Sequence, residues 1–521
     1  MPHTMKKQKC IILINTDRID FLDKEIIDSI NSSCDIQYFY LPEIKRKKVP
    51  LFYKNGTIEL SELLNFYNNT PSSENLIIKT SGKDKTDFIF SLNADFDSAI
   101  TEKIPVIYID RSEATGSPLT VKEFIRNESF IDIRLTLCYK RNSYSLSESK
   151  LKIDRCFFQK NFSFLRQVLP GITIQALDLF EKSRSKIKNF PVIDDYLVER
   201  GADSIRSALI LCYLLMPFRL FKKVVDFLCY WEQWHIGIVE DSIDRIISSG
   251  FKIDKIRWLP AVKKNQFIAD PFGIKYNSRL YIFAELWDSE NPVGKIVWGD
   301  ETDSFSRWNT LFDHETHLSY PFLLSEKGKI FCIPESAEQG DFTLYTSEKF
   351  PDKWNKGKVL FKDFRMADAS LLKWENKYWL FAAKANGDAA YELYIWFSDK
   401  INGRWKAHPM NPVKRDITSS RPAGPPFIYK KTIYRPGQDC SDSYGSRIVM
   451  NRVTVLSETD FREDTAGILK GPDKSPYPDG MHTFSVIDDV IVVDAKRKMF
   501  TLFNYRILKY KLKRVLSRVF P

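Results

Sequence analysis

Five residues with chemically useful side chains recur at similar intervals in the second half of the chain. They are Asp270, Tyr320, Asp368, Arg421 and His482, separated by 50, 48, 53 and 61 residues. Carboxylates can serve as acid or base, arginine can hold a phosphate or carboxylate through two hydrogen bonds, and histidine can exchange a proton near neutral pH. If the elements that carry these residues meet at one place, the sequence predicts acid and base chemistry there on an anionic substrate.

Further candidates lie close to these five markers. Glu285 ends a strand-like stretch after Asp270, Glu335 ends the next such stretch, and His317 stands three residues before Tyr320. The residues predicted to be catalytic are Asp270, Asp368, Glu335 and His482. The residues predicted to bind substrate are Arg421, Arg435, Gln438, Asp439, His317, Tyr320 and Glu285.

Residues 421–451 are the densest in such side chains. Two Arg-Pro pairs, at 421 and 435, predict two turns that flank a short strand and present polar groups at the ends of a β-hairpin. A substrate site is one interpretation of this stretch. Ordinary turns with solvated charges are the alternative, because Pro, Gly and Asp are common in turns of any kind.

The elements that would position these residues follow a repeating pattern between residues 251 and 500. Turn-like residues followed by two strand-like stretches recur at each of the five markers. A recurrence of hairpin-like units at roughly fifty residues is typical of a β-propeller, and five units predict five blades. The markers would then stand at the axis.

The amino-terminal part has a different pattern. Residues 1–145 alternate strand-like and helix-like stretches, which predicts an open, mainly parallel α/β sheet. Residues 146–250 are predicted to be a helical connector. Its apolar run, 208–218, either lies in a membrane interface beside Arg219, Lys222 and Lys223 or packs between its neighbours. The fold class is therefore multidomain, α/β plus all-β.

The formal net charge of +11 is concentrated at the carboxyl end, where nine Lys and Arg follow Asp494 without any acidic residue. Residues 501–521 are predicted to form a basic amphipathic helix that binds an anionic membrane surface. Its apolar face would hold Leu508, Leu512, Val515, Leu516 and Val519. Nucleic acid is not expected as a partner, because the body of the chain has no basic stripe with interleaved aromatics.

The compartment is predicted to be the cytoplasm, with the protein peripheral to the inner face of the cell membrane. The eight cysteines are scattered without a CxxC pair, which favours a reducing compartment. The apolar run at residues 10–14 is too short for a signal-peptide core. The run at residues 208–218 is too short to span a bilayer.

Residues 87–138 resemble a formyltransferase-type domain. Asp110, Arg111 and Ser112 stand where that family carries a histidine. The resemblance implies the family's fold without formyl-transfer activity.

The predicted propeller resembles the arabinanase, xylosidase and invertase type of glycoside hydrolase. Asp270 in IADPF and Asp368 in MADAS match the first and third acidic positions of that type. The family's general acid is a glutamate from the fourth blade, where this sequence has Arg421, Arg435 and Gln438. That departure argues against simple hydrolysis, because arginines suit an anionic ligand.

The whole arrangement is similar to a bacterial family with a formyltransferase-like domain followed by a five-bladed propeller, which in turn is similar to the amino-terminal region of plant glucosamine inositolphosphorylceramide transferases. The motifs that carry this resemblance are WHIG (234–237), WLPAV and FIADPF (258–272), HLSYPF (317–322), IPES (333–336), SRPAG (420–424), RPGQDCSDSYG (435–445) and MHTFS (481–485). The resemblance implies glycan or glycolipid assembly.

These observations predict a glycosyltransferase-type enzyme of surface polysaccharide or glycolipid biosynthesis, which uses an activated, anionic sugar donor. Its acceptor would be a carbohydrate or lipid-linked glycan. No cofactor is predicted, and metal dependence and oligomeric state are left open. Two alternatives remain: a glycoside hydrolase that uses Asp270, Asp368 and Glu335, and a non-catalytic glycan-binding scaffold.

Overall fold

The computed structural model describes most of the second half of the chain and part of the first. The described residues are 8–14, 26, 34–40, 88–91, 105–110, 121–140, 142–183, 192–193, 205–336, 340–362, 364–385, 391–500, 507–509 and 512. The chain divides into two compact units, Met1–Phe221 and Lys222–Pro521.

The first unit contains a sheet with four parallel strands. The strands run in the order β2-β1-β3-β4, and β5 and β6 then add an antiparallel hairpin to β4. The strands of this unit are β1 Gln8–Ile14, β2 Cys34–Tyr40, β3 Phe88–Ser91, β4 Val106–Asp110, β5 Phe130–Tyr139, β6 Asn142–Lys152 and β7 Val192–Ile193. The parallel strands agree with the predicted α/β pattern, because each predicted apolar stretch among the described residues forms one strand.

The helices are α1 Val121–Ile125, α2 Phe158–Ser183, α3 Ile205–Cys229 and α4 Ile243–Ser248. α2 and α3 lie in the segment predicted to be helical. That prediction is wrong for residues 146–152, which belong to β6, and for the ten residues after α3, which form a strand. Residues 111–120 lie outside the described part, and the resemblance of this unit to a formyltransferase-like fold stays a prediction.

The second unit is mostly β and has a propeller-like arrangement of antiparallel sheets. Its strands are β8 Tyr230–Val239, β9 Ile256–Trp258, β10 Gln266–Tyr276, β11 Arg279–Asp288, β12 Lys295–Asp300, β13 Asn309–Phe312, β14 Ser319–Glu326, β15 Lys329–Glu335, β16 Phe342–Lys349, β17 Lys353–Phe361, β18 Met366–Trp374, β19 Lys377–Lys384, β20 Glu392–Ser398, β21 Lys406–Ala407, β22 Lys414–Asp416, β23 Phe427–Tyr429, β24 Thr432–Asp439, β25 Arg447–Leu456, β26 Phe461–Ile468, β27 Phe484–Ile487 and β28 Val490–Phe500.

These strands pair in chain order. Sheet 1 is β10-β11-β12-β13, sheet 2 is β14-β15-β16-β17 and sheet 4 is β23-β24-β25-β26. In sheet 3, β18, β19 and β20 pair in the same way, and β20 also pairs with the short strands β21 and β22. Sheet 5 is β27-β28-β8-β9. Sheet 5 therefore joins strands from both ends of the second unit.

Apolar cores fill the spaces between successive sheets. Sheets 1 and 2 share a core that includes Phe283 and Cys332, and sheets 2 and 3 share one around Phe322 and Leu380. Corresponding cores lie between sheets 3 and 4, between sheets 4 and 5, and between sheets 5 and 1. Because the first and last sheets also share a core, the arrangement closes on itself.

The first strands of sheets 1, 2 and 3 carry the same irregularity. The register shifts between Ala269 and Phe272, between Ser319 and Phe322, and between Ala367 and Ser370. Within each bulge one residue has a positive φ: 53° at Asp270, 47° at Tyr320 and 53° at Asp368. A bulge re-aims the residue at its centre, so the three predicted markers occupy equivalent positions.

The predicted turn at residues 435–437 is wrong. Arg435, Pro436 and Gly437 lie inside β24 and pair with β25, while the hairpin turn is at Lys430 and Lys431. Pro436 can lie in a strand because the fixed φ of proline is compatible with an extended backbone. Gly437 is needed because a Cβ there would lie 2.2 Å from the carbonyl oxygen of Ser419.

Only a small part of the carboxyl-terminal tail is described. Residues 507–509 and 512 are helical, and Ile507 is buried against Trp231 and Trp287 of the second unit. The remainder of the predicted amphipathic helix lies outside the described residues. Among the helices of the described part, none has the length and apolar character needed to cross a bilayer.

Candidate active site

Asp270 links sheets 1, 2 and 5 of the second unit. Its Oδ2 accepts a hydrogen bond from the backbone N–H of Tyr320 at 3.3 Å, and its Oδ1 accepts one from the Thr483 hydroxyl at 3.2 Å. Its own N–H donates to Oδ2 of Asp494 at 2.9 Å. The bulge in β10 makes these contacts possible, because the positive φ turns the carboxylate and the N–H toward neighbouring strands.

His482 lies between two carboxylates. Its Nδ1 is 2.7 Å from Oδ2 of Asp494, and its Nε2 is 3.4 Å from Oδ1 of Asp270. The imidazole stacks on the Trp234 ring with centroids 3.9 Å apart. Asp494 also accepts backbone hydrogen bonds from His482 and Thr483, at 3.1 and 2.9 Å. This arrangement orients the imidazole toward Asp270.

Asp368 occupies the equivalent bulge in sheet 3. Its Oδ2 accepts hydrogen bonds from Nε of Arg421 and, at 2.9 Å, from the Gln438 amide nitrogen. The Gln438 amide also donates to the carbonyl oxygen of Pro422 at 2.8 Å, which fixes its orientation. Gln438 is completely buried. Sheets 3 and 4 are thus joined through one carboxylate.

Glu335 lies at the end of β15, next to Asp368. Its Oε2 accepts the backbone N–H of Asp368 at 2.7 Å. This contact repeats the pattern seen at the other two bulges, where the N–H of Asp270 meets Asp494 and the N–H of Tyr320 meets Asp270. Each bulged residue therefore donates its N–H to a carboxylate of the preceding sheet.

Glu285 and His317 form a second pair beside this group. Nε2 of His317 is 3.3 Å from Oε1 of Glu285, and Nδ1 of His317 accepts the backbone N–H of Gly294 at 3.0 Å. Because Nδ1 is an acceptor, a neutral His317 carries its proton on Nε2, facing Glu285. Oε1 of the buried Glu285 has no hydrogen bond to another described residue.

Tyr444 forms an exposed aromatic surface beside these groups. Tyr444 is 40% exposed as a residue. Its ring lies edge-on to His482 with centroids 5.3 Å apart and has the guanidinium carbon of Arg421 at 4.9 Å from its centre. The buried Lys496 holds the loop in place, since its Nζ donates to the Tyr444 carbonyl oxygen at 2.6 Å and to Glu232 at 2.7 Å.

The carboxyl groups of the site have different pKa values. Burial raises the pKa of Asp270 to about 6. The positive charge of His482 opposes this increase, and the negative charges of Asp494 and Asp368 add to it. Burial, reinforced by the charge of Asp368 and opposed by Arg421, raises the pKa of Glu335 to about 8. Near neutral pH, Asp270 is therefore mostly ionised and Glu335 mostly protonated.

Glu285 and His482 are also shifted. Burial, followed by the negative charges of Asp270 and Glu335, raises the pKa of Glu285 well above its usual range. For His482, burial alone would lower the pKa, but the charges of Asp494 and Asp270 outweigh burial and raise it. Glu285 therefore tends to be neutral, and His482 tends to be charged.

Asp270, His482 and Asp494 also form a group whose ligand atoms all lie within 4.8 Å of one another, as a metal site would require. The oxygens of Asp494 already accept three backbone N–H groups. Those of Asp270 accept a hydroxyl and an N–H. Because these oxygens already accept hydrogen bonds, the group fits an imidazole placed between two carboxylates better than a metal centre.

Most of the predicted site residues lie together. The pKa of Glu285 is raised by the charges of four other carboxyl groups, those of Asp270, Glu335, Asp494 and Asp368. Members of this group are contacted by Arg421, Gln438, His317 and His482.

Three predicted residues have other roles. Arg435 is fully buried and binds Glu463 through Nε at 2.8 Å and Nη2 at 2.6 Å, so it does not fit a phosphate clamp. Asp439 is held in its own turn by Ser441 and pairs with Arg447 at 3.0 Å. The Tyr320 hydroxyl is buried between Ser370 and the N–H of Gly424.

Sequence inspection did not identify four residues of this site. Asp494 and Lys496 lie in β28, where four consecutive apolar residues before Asp494 suggested an ordinary strand. Trp234 and Tyr444 stand inside the WHIG and RPGQDCSDSYG motifs, whose aromatic residues were the available signal.

Comparison with known proteins identifies relatives of the site-bearing region. A family model described as glucosamine inositolphosphorylceramide transferase 1, N-terminal, matches residues 259–474. Glucosamine inositolphosphorylceramide transferase 1 of Arabidopsis thaliana is 36% identical over 212 residues, which cover 38% of this chain and 27% of that protein. The protein of the same name from Oryza sativa subsp. japonica is 33% identical over 207 residues, which cover 38% of this chain and 28% of that protein.

A family 117 glycoside hydrolase from the marine bacterium Zobellia galactanivorans is similar in structure, with 13% identity, a TM-score of 0.34, and coverage of 52% of this chain and 91% of that chain. The chain spans about a quarter of the length of the plant relatives it matches. The predicted resemblance to their amino-terminal region is confirmed for residues 259–474, which include Asp270, Glu335, Asp368 and Arg421 and end before His482.

Proposed function

We propose that this chain is a carbohydrate-active enzyme that transfers a glycosyl group during assembly of a surface glycan or glycolipid. The observation that carries the proposal is the pair of buried carboxyl groups with different pKa values, about 6 for Asp270 and about 8 for Glu335, in one cluster with His482 and Arg421. The similarity of residues 259–474 to the amino-terminal region of glucosamine inositolphosphorylceramide transferases supports a carbohydrate substrate.

The roles of the two carboxyl groups follow from their protonation. Asp270, mostly ionised near neutral pH, would accept the proton of an attacking acceptor hydroxyl. Glu335, mostly protonated, would donate its proton to the leaving oxygen of the donor. His482 would help to keep Asp270 ionised, since its raised pKa favours the charged imidazolium beside that carboxylate.

An activated, anionic donor remains part of the proposal, with Arg421 as the residue that would bind its charge. Nε of Arg421 is engaged by Asp368, and no hydrogen bond joins its terminal nitrogens to another described residue. The donor would also face the carboxyl groups of Glu285 and Glu335. Their raised pKa values reduce the repulsion, because protonated carboxyls carry no charge.

Tyr444 would supply the platform for a sugar ring. The residue is 40% exposed and lies beside Arg421 and His482. Aromatic rings of this kind combine apolar contact area with a polar rim, which suits the apolar face of a sugar. Gln438 and His317 would contribute hydrogen bonds.

The architecture belongs to the same proposal. We interpret sheets 1 to 5 as five blades around one axis, supported by the apolar cores between each successive pair. A formyltransferase-like amino-terminal domain, a bacterial origin and a cytoplasmic site at the inner membrane face complete the hypothesis.

Hydrolysis is the second candidate. A base and an acid with well-separated pKa values are also what cleavage of a glycosidic bond requires. The two candidates differ only in whether a sugar hydroxyl or water attacks, so the acceptor decides between them.

The test measures release and transfer separately. The protein is incubated with aryl glycosides and with nucleotide-linked sugars, each with and without a lipid or oligosaccharide acceptor, and the products are identified by mass spectrometry. Asp270→Asn and Glu335→Gln are expected to lose activity by about 10²–10⁴-fold, the range typical of general acid and base catalysts. Glu348→Gln, an exposed carboxylate in β16, serves as the control.

Acceptor-dependent product that both site variants lose supports transfer. Free sugar released without acceptor, and lost in the same variants, supports hydrolysis. Donor or glycan binding without turnover would leave the non-catalytic scaffold as the function.

A further inference from the structure

Glu285 and Glu335 occupy equivalent positions in neighbouring sheets. Glu285 lies in β11 and pairs with Ala269, directly before the bulge of β10. Glu335 lies in β15 and pairs with Ser319, directly before the bulge of β14. Each carboxyl group therefore reaches the site from the second strand of its own sheet.

The two carboxyl groups differ in their contact with the backbone of the next sheet. Oε2 of Glu335 accepts the N–H of Asp368, the bulged residue of sheet 3, at 2.7 Å. The corresponding N–H for Glu285 is that of Tyr320, but Oδ2 of Asp270 accepts it at 3.3 Å. Glu285 therefore lacks the hydrogen bond that holds Glu335 in place.

Glu285 is buried without a hydrogen bond to another described residue. The residue is 6% exposed, its Oε1 has no such partner, and its Oε2 accepts no hydrogen bond from that part of the chain either. Nε2 of His317 lies 3.3 Å from Oε1, and the side chain of His317 is 38% exposed. A buried carboxyl group without a hydrogen bond costs free energy, and a ligand that supplies one would remove that penalty.

The chemistry of this position suits an uncharged hydroxyl group. A neutral carboxyl group offers one O–H donor and one carbonyl acceptor, and a hydroxyl can pair with either of them. Burial, followed by the charges of the neighbouring carboxyl groups, raises the pKa of Glu285 well above its usual range and so favours this neutral form. The same neighbours disfavour a phosphate or carboxylate ligand here, because like charges repel.

Glu285 lies on the side of the site that holds the proposed base. It pairs with the residue directly before Asp270, and after burial the charge of Asp270 has the largest effect on its pKa. For Glu335, burial is followed by the charge of Asp368, and Arg421 opposes both. An acceptor that gives its proton to Asp270 would therefore pass beside Glu285, while the charge of the donor would lie at Arg421.

We propose that Glu285, with the imidazole of His317 beside it, binds an uncharged hydroxyl group of the acceptor sugar and selects acceptors that carry it. This inference rests on the proposed function, because that function assigns the acceptor to the side of Asp270. An acceptor without the hydroxyl leaves the buried carboxyl group unpaired, so the site discriminates against it.

The test is binding of uncharged sugars to the full chain in the absence of any donor, measured by isothermal titration calorimetry. The probes are the methyl glycosides of glucose, galactose and mannose, followed by the monodeoxy analogues of each glycoside that binds. For the parent chain, removal of one hydroxyl is expected to weaken binding about tenfold or more, as loss of a hydrogen bond to a buried group would.

Two substitutions separate the hydrogen bond from the fold. Glu285→Ala should bind the intact glycoside about tenfold more weakly and no longer discriminate against that deoxy analogue. Glu285→Gln keeps a neutral donor and acceptor in nearly the same shape, so it should retain both affinity and discrimination. The matched control is Glu326→Ala, which removes a carboxylate with a 16% exposed side chain at the far end of β14. Thermal unfolding of each variant checks that the fold is retained.

Three results would overturn the inference. The first is a parent chain that binds none of these glycosides. The second is discrimination against the deoxy analogue that persists in Glu285→Ala. The third is an analogue with an ammonium group in place of the hydroxyl that binds the parent chain more tightly and loses this gain in Glu285→Gln, because Glu285 would then be an ionised ligand for a cation.

Failure of this inference differs from failure of the proposed function. If Asp270→Asn abolishes transfer while Glu285→Ala leaves sugar binding unchanged, Glu285 does not bind the acceptor and the enzymatic function stands. If the glycosides bind as expected but neither transfer nor release occurs, Glu285 recognises a sugar hydroxyl and the enzymatic function is wrong.

Discussion

Asp270 and Glu335 show how burial and neighbouring charges give two carboxyl groups different pKa values. Both are withdrawn from water, yet Asp270 has His482 beside it while Glu335 faces the negative charge of Asp368. The first therefore keeps a pKa of about 6, and the second is raised to about 8. The difference between the two pKa values leaves a window around neutral pH in which Asp270 is mostly ionised and Glu335 is mostly protonated.

The pH dependence of the reaction should follow these values. Activity should rise with pH as Asp270 loses its proton near 6, and fall as Glu335 loses its proton near 8. A profile of kcat/KM against pH measures both limbs. In Glu335→Gln, the residual activity should lack the fall at high pH. A fall that persists unchanged in this variant would assign the acid to another group.

Arg435 is the clearest case of a predicted ligand residue with a structural task. It is completely buried with Glu463, and Lys414 reaches the same carboxylate at 2.8 Å. Removing one partner of such a pair leaves an uncompensated buried charge. We expect Arg435→Met to lower the free energy of unfolding by about 3–5 kcal/mol, as measured by urea denaturation. The exposed pair of Arg452 and Asp464 provides the control, and Arg452→Met should cost less than about 1 kcal/mol.

The same pair makes stability depend on pH in a defined direction. Burial alone would raise the pKa of Glu463, but Arg435 and Lys414 outweigh it and lower the pKa to about 2. Because the folded value lies below the unfolded value of about 4.3, the stabilisation is complete above that pH and is lost as pH falls toward 2. The difference in urea midpoint between the parent and Glu463→Gln should be constant from pH 7 to about 4.3 and should shrink as the pH falls further toward 2. A difference that does not shrink in this acid range would contradict the assignment.

At the scale of elements, bulged strands and close backbone contacts position the site. The bulges of β10, β14 and β18 direct Asp270, Tyr320 and Asp368 toward neighbouring sheets. Where sheets 4 and 5 meet, Gly424 has a φ of 114°, and a Cβ there would lie 2.2 Å from the carbonyl oxygen of Phe484. The two backbone segments can approach this closely only because residue 424 has no side chain.

Gly424→Ala is therefore expected to destabilise the protein by about 2–3 kcal/mol, through both backbone strain and overpacking. The measurement is thermal or urea unfolding. Gly471→Ala is the matched control, because its Cβ would meet only the Met481 sulfur at an ordinary 3.6 Å. Equal stability of the two variants would show that the contact with Phe484 relaxes easily.

At the scale of the whole molecule, sheet 5 closes the second unit with strands from both of its ends. β8 pairs with β28 over ten successive residues, from Tyr230 with Phe500 to Val239 with Ile491. Trp234, which stacks on His482, belongs to β8. Closure and the completeness of the site therefore depend on the same strand.

This dependence can be tested with two fragments. Residues 222–521 form a compact unit and should unfold cooperatively on heating. Residues 251–521, which begin at the predicted propeller boundary, lack β8 and should aggregate or melt without cooperativity, because the edge of β28 and the cores beside it lose their cover. Cooperative unfolding of the shorter fragment would mean that closure by β8 is dispensable.

The sequence by itself determined the alternation of elements and the five marker positions. Strand-forming stretches and turn residues are local signals, so β10, β14 and β18 could be predicted along with Asp270, Tyr320 and Asp368 at their starts. Charged and polar side chains are uncommon beside apolar strands. Their positions therefore also identified Glu285, Glu335, Arg421 and His482.

Only the tertiary structure decided which of these groups face each other. Asp494 and Asp270 are 224 residues apart in sequence, and Arg435 and Glu463 come from different strands, so no local pattern links either pair. The Arg-Pro-Gly stretch of β24 resembles a turn because Pro and Gly favour turns, but pairing with β25 holds it extended. Burial, which sets the pKa values and separates ligand residues from structural ones, arises only when distant strands pack together.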